Sequence, residues 1–262
     1  MSHYLLNQAW NREKERLESI QALHDPITIR HLEALGVDKG WHCAEVGAGV
    51  GSIATWLSER IGDSGQVVAT DIDTRFLVAL SRANLDVRSQ DVVTEPLEAG
   101  AYDLVHARML LMHLPEREQV IEQLVAALRP GGYLLVEDAD FRNHQVCSPP
   151  SGLLTRTGTA LVRLLQRGGA DPSYGLKLLP ALVSLGLTNI GIEGQQIVVP
   201  GGTEPCAAFT LLLEQLSDKL IEAGLLSWEE IEGAIQELRH PSSPVVIYGP
   251  IMISVWGQRS GG

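Results

Sequence analysis

The feature that most constrains this chain is AEVGAGVGS, residues 44–52. An apolar run, Trp41 to Val46, leads into glycines at alternate positions, Gly47, Gly49 and Gly51. A helix-like stretch from Ser52 to Ile61 follows. Glycine is needed where a chain turns sharply or where backbone must lie against a ligand without a Cβ in the way. The helix start behind the loop adds unsatisfied N–H groups and the positive end of a helix dipole. Such a loop can serve a dinucleotide, a nucleoside or a carboxylate. The dinucleotide form wants Gly or Ala where Ser52 stands. Glu45, two residues before the first glycine, can accept from an ammonium or from backbone N–H groups.

The pattern around the loop alternates strand and helix. Strands are predicted at Trp41 to Val46, Gln66 to Asp71, Leu85 to Arg88, Tyr102 to Ala107 and Tyr133 to Asp138. Helices are predicted at Ser52 to Ile61, Thr74 to Ala83 and Glu116 to Leu128, with RPGG turning the chain before the fifth strand. Apolar strands separated by helices imply a mostly parallel sheet covered on both faces. After Asp140 comes a loop from Arg142 to Ser151, then helices at Gly152 to Arg167 and Tyr174 to Leu185. A strand at Asn189 to Val199, helices at Glu204 to Ala223 and Ser227 to Leu238, and a closing strand at Val245 to Gln258 complete the chain. Ahead of the loop, a helix from Tyr4 to His24 precedes a second to Leu35, with Asp25 as its cap and Pro26 at its first position. The expectation is one α/β domain over residues 1–262. It comprises an N-terminal helical lid (1–40), a ligand-binding half (41–140) and substrate-side helices with closing strands (141–262).

Two acids extend the motif. Asp71 ends the second strand, 20 residues after Gly51, where a carboxylate reaches the hydroxyls of a ribose. Asp73 is suited to cap the helix expected next. Asp91, followed by Val92, lies in the loop after the third strand. Its carboxylate can accept from an exocyclic amine while the next N–H donates to a ring nitrogen, a pairing that reads adenine.

Glycine loop, ribose acid and adenine acid, together with YDLVHARMLLMHLPE and LRPGGYLLVED, resemble the successive motifs of class I S-adenosylmethionine (SAM)-dependent methyltransferases. The resemblance covers Trp41 to Asp138 and is nearest to quinone C-methyltransferases and to sugar and natural-product O- and N-methyltransferases. It implies a Rossmann-like, seven-stranded sheet and SAM as cofactor. The methionine part would lie by Glu45, Gly47, Gly49 and Gly51, the ribose on Asp71 beside Ile72, and the adenine on Asp91 and Val92. It places Ala107 and Arg108 beside the cofactor, although Arg108 departs from the small residue usual there. His113, in MHLP, matches a histidine used as base by similar sugar O-methyltransferases. Asp138, at the tip of the fifth strand, falls where ligand sites open in such sheets and could orient His113; Asp140 and His144 are reserves. Tyr4, Trp10 and Arg16 would suit a lid over the cofactor, or an ordinary amphipathic helix.

The expected reaction moves a methyl group to an O, N or C atom of a small, hydrophobic metabolite, as in natural-product biosynthesis. Two rivals stand beside it: a SAM-binding protein without methyl transfer, such as a cyclase, an eliminase or a binding module, and a nicotinamide- or flavin-dependent oxidoreductase. A formal charge of −12, from 32 acidic against 20 basic residues, repels phosphate backbones and anionic lipid, so neither nucleic acid nor membrane is an expected partner. A homodimer is compatible with the sequence. Three cysteines, far apart, match no disulfide framework or zinc spacing, and no metal is expected. Polar residues interrupt any signal-like core at the N-terminus, which points to the cytoplasm.

Overall fold

The computed structural model describes residues 5–6, 9–80, 82–143 and 146–261; Tyr4 and His144 lie outside them. In chain order the elements are α1 (Glu13–Ala34), β1 (His42–Val46), α2 (Ser52–Ile61), β2 (Gln66–Asp71), β3 (Leu85–Ser89) and β4 (Tyr102–Arg108). A 3-10 turn at Leu111–His113 leads to α3 (Arg117–Ala127) and β5 (Leu128–Asp140). Then come β6 (Val146–Ser148), α4 (Gly152–Arg167), α5 (Gly175–Ser184), β7 (Thr188–Pro200), α6 (Ala207–Glu222), α7 (Trp228–Arg239) and β8 (Val246–Gln258). The sheet order is β3-β2-β1-β4-β5-β8-β6, with β7 also pairing β8. The expected α/β sheet is present, with eight strands rather than seven. No helix among the described residues is long and apolar enough to cross a membrane.

The chain divides into two compact units. The larger, residues 24–138, 174–193 and 253–262, holds the parallel strands β1 to β5. In register, Glu45 sits level with Ala69 and with His106, and His106 with Leu135. Side chains alternate between faces along a strand. One face therefore carries Cys43, Val67 and Leu104 low down, within a core shared with Leu32, Ile53, Ala54 and Leu57. Towards the C-terminal tips the same face turns charged, with Glu45, His106, Arg108 and Glu137.

The smaller unit, residues 1–23, 139–173 and 194–252, is mainly helical. Leu161 and Leu164 of α4 pack with Leu213, Leu216 and Leu220 of α6 and Ile231 and Ala234 of α7. Its helix starts are capped by side chains: Ser151 accepts from Leu154 N–H, and Ser227 and Glu230 form a reciprocal capping box. Arg16 is only 3% exposed, and its guanidinium bonds Glu13 at 2.7 and 2.8 Å. Glu13 accepts in turn from Gln215. The lid role suggested for Arg16 is thus replaced by an internal ion pair; Trp10 is half-buried.

Four local expectations are corrected. First, α1 runs unbroken through Pro26. A mid-helix proline forfeits the bond to the carbonyl four residues back, and burial of Ile27, Thr28, His31 and Leu32 outweighs that loss. Second, residues 74–80 form successive turns, not a helix. Leu77 and Leu80 bend in over Gly51, where a Cβ would come within 2.3 Å of Leu80 and 2.8 Å of Leu77. Asp73 caps no helix; it accepts from Arg75 N–H. Third, RPGG is not a turn but an irregularity inside β5, where the register to β4 shifts between Tyr102 and Leu104. Fourth, Val146–Ser148, expected as loop, is the additional strand β6, antiparallel to Val246–Tyr248 of β8. A partner about a hundred residues away leaves no local signal.

A Cβ on Gly132 would lie 2.6 Å from the Tyr102 carbonyl oxygen and within 3.2 Å of two more carbonyls. Gly132→Ala is therefore expected to lower unfolding free energy by about 1–3 kcal/mol in urea denaturation.

Candidate active site

The strand tips of the larger unit bring most of the sequence-selected residues to one end of the sheet. Gly47, Gly49 and Gly51 all adopt positive φ. The Gly47 and Ala48 N–H groups donate to the Thr70 carbonyl, at 2.8 and 3.0 Å. Gly49 N–H donates to Asp71 Oδ2 at 2.9 Å, while Asp73 N–H donates to Asp71 Oδ1 at 3.0 Å. Asp71 thus fastens the loop to the tip of β2. An ionised carboxylate offers about four acceptor positions, so these N–H groups do not exhaust it. Burial raises the Asp71 pKa, against the lowering effect of those N–H groups. Ile72 beside it is a large apolar side chain left 44% exposed. Asp91 is exposed and accepts from Val93 N–H at 3.0 Å, whereas Val92 is buried. Gly51, at the head of α2, supplies no side-chain cap, so first-turn N–H groups there stay open to a ligand.

Glu45 is tied up more firmly than expected. His106, opposite it in the sheet and fully buried, has Nδ1 at 2.5 Å from Glu45 Oε2 and Nε2 at 3.2 Å from Glu137 Oε2. Burial alone would lower the His106 pKa, yet the two carboxylates lift it to about 9, so the ring is a cation at neutral pH. Burial pushes Glu137 up, but bonds from His106 and His31 hold it well below the usual carboxylate range. Glu137 also accepts from Ser254 Oγ at 2.6 Å and from Thr28 Oγ1. Ala107 is buried, and Arg108 donates to Thr28 Oγ1 at 2.8 Å and Asp25 Oδ1 at 2.7 Å. The available sequence signals were a lone histidine in YDLVHA and a lone glutamate in YLLVED. Beyond the tip of β4, Met109 takes φ 50 and its N–H donates to the Glu137 carbonyl at 2.7 Å, a left-handed conformation unusual outside glycine.

His113 ends the 3-10 turn and is half-buried. Asp138 is 1% exposed; its Oδ2 accepts from Met112 N–H at 3.2 Å, and its Oδ1 has no partner among the described residues. Burial raises its pKa well above the ordinary carboxylate value, and through Met112 N–H it anchors the turn that carries His113. Asp140, at the end of β5, is paired with Arg142 at 2.9 Å. No group of three or more His, Cys, Asp or Glu among the described residues is gathered to hold a metal ion.

His106→Gln would leave two buried carboxylates without their cation and is expected to cost about 3–5 kcal/mol in chemical denaturation. Because the folded pKa of His106 is raised, its contribution is complete below pH 6.5 and fades as pH rises through about 9. The gap between wild type and variant should narrow over that interval. Asp138 has a raised folded pKa as well, so its ionisation disfavours the fold as pH rises through that value. Asp138→Asn should match wild type near pH 4 and exceed its unfolding free energy at pH 8, by on the order of 1–3 kcal/mol.

With this geometry in place, residues 44–136 match the methyltransferase domain family. The methyltransferase str2 of Strobilurus tenacellus is 33% identical over 141 residues, covering 53% of this chain and 50% of that protein. The methyltransferase GfsG of Streptomyces halstedii is 26% identical over 220 residues, 78% of this chain and 74% of that protein. The chain spans about half the length of the Strobilurus relatives. Among solved structures, the Haemonchus contortus phosphoethanolamine N-methyltransferase 2 in complex with S-adenosyl-L-methionine superposes with TM-score 0.60 at 14% identity, over 99% of this chain and 60% of that one. In sheet order, glycine loop and these matches, residues 44–136 are similar to the class I SAM-dependent methyltransferases.

Proposed function

We propose that this chain binds SAM across the tips of β1, β2 and β3 and transfers its methyl group to an O, N or C atom of a small, apolar metabolite. The carrying observation is Asp71: a carboxylate clamped to the glycine loop, with acceptor capacity to spare, beside the exposed Ile72. A ribose would use that capacity, and an adenine face would cover Ile72 between Asp91 and Val92. The chemistry of the donors fits as well, since the uncapped start of α2 and the loop at Gly47–Gly51 offer N–H groups and close backbone approach.

The cofactor supplies, when bound, a methyl group already activated by a positive sulfur. The protein's share is to align the acceptor, exclude water and, for a hydroxyl acceptor, remove a proton. His113 is the proposed base, with Asp138 holding its turn in place through Met112 N–H. The apolar acceptor is supported by a pocket within the smaller unit, about 460 Å³ with its open mouth included, lined by Leu154, Leu161, Phe209, Leu212, Leu238 and Ile247. Thr157, also on its wall, already spends its hydroxyl on the Leu153 carbonyl, so the pocket offers little to a charged ligand. The acidic balance of the chain supports a small-molecule substrate over a nucleic acid.

S-adenosylhomocysteine at about a hundred times its Kd should stabilise the protein by about 2.7 kcal/mol, read as a raised unfolding temperature. Asp71→Ala should weaken that binding about tenfold or more. Stabilisation by NADH alone would contradict the proposal.

A further inference from the structure

The pocket of the smaller unit differs in kind from the strand-tip site, because its polar wall atoms are already hydrogen-bonded. On α4, Leu154, Gly158 and Leu161 line it at the four- and three-residue spacing of one helix face. Phe209 and Leu212 line it from α6. The Thr157 hydroxyl donates to the Leu153 carbonyl at 2.9 Å, and Cys147 Sγ accepts from Ser151 N–H at 3.3 Å. Among the described residues that line the pocket, none is charged. Phe209 packs hard on the β8 backbone, its ring 3.2 Å from where a Cβ on Gly249 would stand.

Gly158 is the telling residue. It is buried in the middle of a 16-residue helix, where glycine costs stability relative to alanine. Helical φ and ψ are open to every residue except proline, so the backbone does not demand it. What glycine supplies there is space between Leu154 and Leu161. A hydroxyl or a charge pushed into that space would lose its water and find no partner, whereas a hydrocarbon end would not. The candidate base His113 belongs to the larger unit, so the pocket wall itself offers no proton acceptor for a reacting atom. We propose that this pocket is an anchor subsite for the unreactive hydrocarbon end of a small-molecule ligand, with Gly158 setting the width of the end admitted. On the methyl-transfer reading above, on which this identification rests, that ligand is the acceptor. Apolar contacts remote from the reacting atom then help to align it.

Calorimetry on the intact chain tests this with octanol and with the octanediol that carries a hydroxyl at each end. Wild type should bind octanol saturably and bind the diol about tenfold or more weaker, since one diol hydroxyl would be buried without a partner. Gly158→Ala, which suits a helix better than glycine, should weaken octanol binding about threefold or more, and Gly158→Leu about tenfold or more. Circular dichroism confirms that the variants are folded. If neither folds, the two alcohols on wild type decide. No saturable binding of octanol, equal affinity for the two alcohols, or unchanged octanol affinity in folded Gly158→Leu would overturn the subsite. Wild type that takes octanol as expected but no S-adenosylhomocysteine would uphold the pocket and overturn the methyl-transfer reading, and with it the naming of the ligand as acceptor.

Discussion

His106, held between Glu45 and Glu137, is the interaction on which the rest of the larger unit depends. Three ionisable groups sit in a sheet face where water is excluded, a costly arrangement unless every charge is answered. Here the imidazolium answers two carboxylates, and Glu137 gathers further donors from Thr28, His31 and Ser254. The outcome is a stitch across β1, β4 and β5 at the level where their tips open. It also explains why α1 docks with a polar stripe. Asp25, Thr28 and His31 recur at a three-residue spacing that keeps side chains near one helix face, and each meets a charged or hydroxyl partner from the network or from Arg108.

The glycine loop is shaped from the opposite side. Leu77 and Leu80 occupy the space that a side chain at Gly51 would need, so that glycine serves packing before it serves any ligand. Asp71 then fixes Gly49 through its N–H. Loop and acid are pre-organised against each other, which reduces the ordering cost of binding. A nucleoside would meet a surface already in place, with the exposed Ile72 as its apolar floor.

Much of this was legible in the sequence because it is local. Three glycines at alternate positions and an acid closing an apolar strand each carry their reason within a few residues. What escaped depends on distant partners. Glu45 and His106 are 61 residues apart, and nothing near either announces the other. Asp25 has the residue type and the neighbour, Pro26, of a helix cap, yet tertiary burial carries α1 straight through and assigns its carboxylate to Arg108 and Ser52. Residues 74–80 have helical periodicity, but packing over Gly51 breaks the helix into turns. The short strand β6 exists only because β8 lies alongside it.

If the nucleoside is gripped as proposed, the chemistry left to the protein is modest: alignment, dryness and one proton. His113, on a turn anchored by Asp138, is the proposed base for the last. A crystal structure with S-adenosylhomocysteine tests the central claim most directly. The ribose hydroxyls are expected on the Asp71 carboxylate, with adenine over Ile72 between Asp91 and Val92. A nucleoside found elsewhere, or one whose sugar makes no contact with Asp71, would contradict it.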